Sequence, residues 1–195
     1  MTNFEKQIAF IMELDKMKHI MRQNYLSNAG RKENDAEHSW HLAVMACVLA
    51  EHANEKVDVL RTIKMLLVHD VVEIDAGDTY AYDAAANVDK REREVKAAER
   101  IFGLLPKEQA EEYRGLWDEF EEMKTPESKF ANTIDKFHPF LLNAASGGKS
   151  WKEHGVSKAQ VLERNKRTHE GSETIWQYQK EQIEIHAAKG DLREE

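Results

Sequence analysis

The sequence is poor in the residues that staple or break a chain. One cysteine, Cys47, leaves no pair for an intramolecular disulfide and suits a reducing compartment. Three prolines and nine glycines in 195 residues are too few turn formers for a many-stranded sandwich or barrel. The longest unbroken apolar run, Leu42 to Ala50, is nine residues. A membrane-spanning helix needs roughly 20. Met1 to Phe10 carries Glu5 and Lys6 and shows no apolar signal-peptide core, so a cytoplasmic protein is expected. Basic residues are outnumbered, 28 Lys and Arg against 36 Asp and Glu, for a formal charge of −8. A sequence-independent nucleic-acid binder needs a basic face to neutralise phosphates, so neither nucleic acid nor membrane is expected as a partner. The acids bunch between Lys107 and Glu127, eight against three bases, which reads as a solvated helix face.

What the sequence does carry is helical periodicity. Phe4, Ile8, Ile11 and Asp15 step by four, three and four, and Phe130, Ile134, Phe137 and Leu141 repeat that rhythm. Leu42, Met45 and Leu49 continue a face that begins at His38, and a helix is expected from Arg61 to Glu73. Thr125-Pro126-Glu127 supplies an N-cap, a proline at the first helical position and an acid that complements the helix dipole. Ser157 and Gln160 have capping-box spacing at the head of a last long segment. Pro139 falls inside an apparent helix and predicts a kink or a boundary there. Loops are expected over 24–35, from 75 to about 89, and over 146–155, the last with an exposed Trp151. The expected fold is all-α, one domain of about six or seven helices.

Nine histidines are many for an acidic helical chain of this size. His38 opens a helix; His69 and Asp70 follow the apolar run Met65-Leu66-Leu67-Val68; Asp135 lies between Ile134 and Lys136 on a core-facing helix. Burying an unpaired carboxylate costs on the order of several kcal/mol. A divalent cation would satisfy all four groups at once, and a mixed His and carboxylate set suits Mn, Fe, Co, Ni or Zn. Hydrogen-bonded core histidines and an Asp paired with Lys or Arg would account for the same residues, and spacing alone leaves both accounts open.

Order and context go further. His38, then His69-Asp70 thirty-one residues on, then Asp135 sixty-five beyond, resembles the HD-domain metal-dependent phosphohydrolases. Glu37-His38-Ser39-Trp40, the stretch from Leu67 to Ile74, Ala76-Gly77-Asp78 and Ile134-Asp135-Lys136 look more specifically like their 5′-deoxynucleotidase branch. The resemblance covers roughly 17–143 and reaches the C-terminus more loosely, through Trp151 and Val161 to Asn165. It implies a single HD domain over 1–195, with a motif-bearing core at about 17–143 and a C-terminal helix at about 157–188. It implies metal-dependent hydrolysis of (deoxy)ribonucleoside 5′-monophosphates to nucleoside and phosphate, by a homodimer. One divalent ion (Mn, Co, Fe, Ni, Zn or Mg) would be held by His38, His69, Asp70 and Asp135. Glu73 matches the acid/base glutamate, four residues after His69; Asp78 matches a second acid near the substrate; Arg22 matches the arginine that grips phosphate oxygens.

Val71 stands where some two-metal relatives carry a second Asp, and no histidine lies between His69 and His138, so a mononuclear site is expected. His41 is expected to pack in the core or on the surface. Gln23 stands where some deoxynucleotidases carry an aromatic residue said to disfavour the ribose 2′-hydroxyl, which loosens the expectation of strict deoxy selectivity. Two other classes remain: an HD-type hydrolase of another nucleotide phosphoester, and a non-catalytic module that binds metal or nucleotide.

Overall fold

The computed structural model describes residues 1–77 and 89–194, and helices dominate them. Helix α1 (Asn3–Leu14) opens on a capping box between Thr2 and Glu5. Its core residue is Phe10; Phe4, Ile8 and Ile11 stay exposed and line a groove with Leu67 and Tyr113. After a 3-10 turn the chain forms an antiparallel hairpin of β1 (Met21–Tyr25) and β2 (Lys32–Asn34), with Met21 opposite Asn34, Tyr25 opposite Lys32 and an irregularity between them. This hairpin occupies most of the stretch expected to be a loop. Its buried side chains are Arg22 and Glu33, so no alternation of apolar residues announces it.

The remaining elements are α2 (Asp35–Leu49), α3 (Val59–Val68), α4 (Glu73–Ala76), α5 (Lys90–Phe102), α6 (Lys107–Glu122), α7 (Pro126–Ala145), α8 (Lys149–His154), α9 (Lys158–Asn165), α10 (Thr168–Gly171) and α11 (Glu173–Ala188). The fold is all-α apart from the hairpin. It has more segments than six or seven because two expected helices are interrupted and α8 forms within an expected loop. The helix expected from Arg61 to Glu73 stops at Val68, with His69 as its C-cap, and resumes as α4. The C-terminal segment is divided into three, with Ser157 capping α9 and Ser172 capping α11.

Helix α7 packs against α2, α3, α6 and α10. Its fully buried Phe130 and Ile134 share a core with Leu42 of α2, Met65 and Leu66 of α3, Ile101 of α5 and Trp117 of α6. Thr125 caps α7 as its sequence indicates, with Pro126 in the first turn. Pro139 lies inside α7 without ending it; having no N–H, it leaves the Asp135 carbonyl without its usual helical donor. Trp151, expected to be exposed, is 2% exposed and packs against Phe140 and His186, because α8 folds inward where a loop was expected. The acids of α6 lie on its outer face, where Glu112 pairs with Lys64, Glu119 with Arg61 and Glu121 with Arg91. No described helix is long and apolar enough to cross a membrane.

Candidate metal centre

Three helices bring the four residues together. The start of α2 is fixed by a capping box, in which the Asn34 side chain accepts from the Glu37 N–H and Glu37 accepts from the Asn34 N–H. His38 follows one position later and points inward, with none of its surface exposed. His69 and Asp70 sit where α3 gives way to a turn, and Asp135 lies in the middle of α7. His38 Nε2 is 3.1 Å from Asp135 Oδ1 and 3.8 Å from Asp70 Oδ2. His69 Nε2 is 3.1 Å from Asp70 Oδ2 and 3.5 Å from Asp135 Oδ1. The Asp70 and Asp135 side chains keep 13% and 18% of their surface, so the cluster opens to solvent on its carboxylate side.

One atom tests whether this cluster suits an ion. His69 Nδ1 donates to the Leu66 carbonyl at 2.8 Å, which turns Nε2 toward the carboxylates. That buried Nε2 makes no hydrogen bond, although Asp70 Oδ2 and Asp135 Oδ1 lie 3.1 and 3.5 Å away. A nitrogen oriented from behind and left unpaired in front is the arrangement a metal-ligating histidine requires. Donor atoms of His38, His69 and Asp135 all lie within 4.8 Å of one another. Two nitrogens and two carboxylates make a donor set that fits a divalent ion of the Mn-to-Zn series. The electrostatics agree. Burial raises the Asp70 carboxyl, but His69 and Arg22 beside it hold it below its ordinary value. Burial also raises Asp135, and the hydrogen bond from His38 with the His69 charge beside it brings it well below. Burial alone would lower His69, yet Asp70 and Asp135 raise it well above.

Behind the four lies a second layer. Arg22 is 9% exposed, and its Nη1 donates to Asp35 Oδ1 at 3.0 Å and to Asp70 Oδ2 at 2.5 Å. The structure thus places Arg22 at the site, gripping the protein's own carboxylates. Burial and the neighbouring Asp70 charge push Asp35 up to about 6, against the pull of Arg22. Glu73, also buried, groups with Asp35 and Asp70, their oxygens within 4.8 Å of one another. It reaches the site from the first residue of α4, across the break after α3, rather than along one continuous helix. Lys90, at the start of α5, contributes a cation whose pKa, lowered by burial, is raised overall by Glu94, Glu73 and Asp70. Asp78 lies outside the described residues.

Glu33, Asp35 and His138 belong to this layer and were not singled out from the sequence as site residues. His138 Nδ1 is 2.9 Å from His38 Nδ1, and His138 Nε2 is 3.0 Å from His41 Nδ1. Burial, helped by the charges of His38, His41 and Arg22, pushes His138 down to about 2, so its ring is neutral. His41, expected to pack apart from the site, is joined to it through His138. The available signal was spacing: His41 follows His38 by three residues, and His138 follows Asp135 by three, one turn along each helix.

A helical bundle that gathers His, His-Asp and Asp from three helices defines a class, and the chain belongs to the HD-domain family, whose profile matches residues 14–176. Among named proteins it is similar to human 5′-deoxynucleotidase HDDC2, with 29% identity over 135 residues covering 69% of this chain and 65% of that one. The bovine 5′-deoxynucleotidase HDDC2 shows 30% identity over 136 residues, covering 69% and 64%. The chain thus spans slightly less than two thirds of the length of these relatives. Among solved structures it is similar to a predicted metal-dependent phosphohydrolase from Magnetospirillum magnetotacticum MS-1, at 46% identity and a TM-score of 0.93 over 97% of this chain and 95% of that one. A conserved hypothetical protein from Pyrococcus furiosus, at 22% identity and a TM-score of 0.63 over 91% and 99%, shares the fold.

Proposed function

We propose that this chain is a metal-dependent phosphomonoesterase that hydrolyses (deoxy)ribonucleoside 5′-monophosphates to nucleoside and phosphate. The observation that carries this reading is His69 Nε2, buried and unpaired between Asp70 and Asp135, with His38 completing the set. A divalent ion held by these four side chains supplies Lewis acidity toward the phosphoryl group and the attacking water. Arg22, beside Asp70, offsets negative charge on the phosphoryl oxygens. Glu73 gives the departing 5′ oxygen its proton. Asp78 is assigned to the substrate side, positioning water or a sugar hydroxyl.

The names of the relatives support the substrate class, and the gathering of His38, His69 and Asp135 supports an ion there. Gln23 accepts a hydrogen bond from Lys32 Nζ at 2.6 Å, which ties it across the hairpin. The chain is read as one HD domain acting as a cytoplasmic homodimer. The exposed Trp40, Val44 and Val48, one turn apart along α2, offer a second copy an apolar stripe.

Phosphate release from paired deoxy- and ribonucleoside monophosphates, with Mn²⁺, Co²⁺ and Mg²⁺ supplied in turn, tests the proposal. Release from either member of a pair supports the reaction, and the ratio reports sugar selection. Silence with an ion demonstrably bound, or release only from other phosphoesters, overturns it.

A further inference from the structure

Helices α2 and α7 pack together, and each carries two candidate donors one turn apart: His38 and His41, Asp135 and His138. One member of each pair belongs to the metal cluster. The other two continue the line outward. His38 and His138 are 0% and 1% exposed, while His41 is at the surface, so three imidazoles form a hydrogen-bonded file from the centre to solvent.

Counting protons fixes the direction of the file. A neutral imidazole carries one N–H, and two facing nitrogens can share only one hydrogen. Once His38 Nε2 gives its lone pair to an ion, the ring's proton must sit on Nδ1, where it donates to His138 Nδ1. His138 then carries its proton on Nε2 and donates to His41 Nδ1. His41 keeps its own on Nε2, at the surface. When His38 Nε2 instead donates to Asp135 Oδ1, 3.1 Å away, every bond in the file runs the other way. The two patterns differ by one proton lost from His38 Nε2 and one taken from solvent at His41 Nε2; the intervening hydrogens shift along the file, and each ring still holds one.

Glu33 is the alternative partner. Its Oε2 is 3.5 Å from His38 Nδ1 and its Oε1 3.7 Å from His138 Nε2, both longer than a hydrogen bond, and Oε2 makes no hydrogen bond, with Arg22 Nε 4.0 Å away. Glu33, His41 and His138 also lie within reach of a common cation. Such an ion would need the His138 Nε2 lone pair, which puts the His138 proton on Nδ1, against the proton His38 must hold there. The two ions would thus demand opposite arrangements of the same rings.

From this geometry we infer that His138 is a positioning residue: it locks His38 in the tautomer and orientation that present Nε2 to the metal, and His41 locks His138 in turn. The inference rests on the reading of His38 as a ligand. Its test is Zn²⁺ binding by chelator competition to the parent chain and to His138→Phe, His138→Asn and His38→Ala. Nitrogen-15 spectra of the histidine rings in the parent chain are recorded before and after Zn²⁺ addition. Removing an outer partner of a ligating histidine typically weakens metal binding about 10- to 100-fold. His138→Phe is expected to show that loss, and His138→Asn, whose amide oxygen takes the place of Nδ1, to recover near-parent affinity. With Zn²⁺ bound, the His138 proton is expected on Nε2, a signature that does not depend on any variant folding. Parent-like affinity in His138→Phe, or a His138 proton on Nδ1 in the Zn²⁺-bound chain, overturns the inference. So does a second Zn²⁺ per chain that only His138→Phe removes. If His38→Ala binds Zn²⁺ like the parent, the metal reading itself falls; if it does not and His138→Phe does, only the positioning role falls.

Discussion

Arg22, itself buried, stands between the buried Asp35 and the part-buried Asp70, and one of its nitrogens serves both. Deleting one member of a buried ion pair costs on the order of 3–5 kcal/mol, mostly because the remaining charge is stranded. Arg22→Ala should therefore unfold at lower denaturant concentration as well as lose phosphate release. Arg22→Lys, which keeps the charge without the fork, should recover more of the stability than of the rate. An Arg22→Ala chain as stable as the parent would contradict the pairing. Glu73→Gln separates binding from chemistry: the ion should remain bound at parent affinity while turnover falls by about 10²- to 10⁴-fold. Turnover retained in that variant would remove Glu73 from the reaction. The four cluster residues are legible in the sequence because each interrupts or flanks an apolar helical run and their order matches a known family. Glu33 and Asp35 are not, since both lie in a stretch without apolar periodicity. His138 is legible only as a spacing, whose meaning depends on how α2 and α7 face each other.

Among the elements, local chemistry is the readable part. The caps at Thr125 and Ser157 and the apolar rhythm of α7 are all visible in the chain. The breaks are less so. The end of α3 at His69 and the hairpin of β1 and β2 are set by the polar cluster they enclose, which pattern reading does not see. Gly171, at the end of α10, shows how closely two elements can meet. A Cβ there would overlap the Lys129 carbonyl and the Thr133 hydroxyl of α7. Gly171→Ala should force α10 away from α7 and cost about 1–3 kcal/mol, as overpacking does. A denaturation midpoint equal to that of the parent would show that the contact relaxes without cost.

Across the whole molecule, the C-terminal stretch closes onto α8. Asp191 accepts from Lys152 Nζ at 2.5 Å and from His186 Nδ1 at 2.6 Å. Burial raises the Asp191 carboxyl, and these two partners bring it below its ordinary value. Its contribution to stability is therefore complete above the unfolded carboxyl pKa of about 4 and lost as pH falls through the lower folded value. Asp191→Asn should cost about 1–3 kcal/mol at neutral pH, and the gap to the parent should narrow below pH ~4. A gap that widens with acid would contradict the pairing. Trp151, half of this closure, looks exposed in sequence because its partners, Phe140 and His186, lie on α7 and α11. The central claim concerns the centre those helices enclose, and one titration reaches it directly. A chelator-stripped chain is given Mn²⁺ in steps while bound ion and phosphate release from a deoxyribonucleoside monophosphate are followed together. The account predicts no release from the stripped chain and full release at one ion per chain. Equal release from the stripped chain, or none at full occupancy, would contradict it.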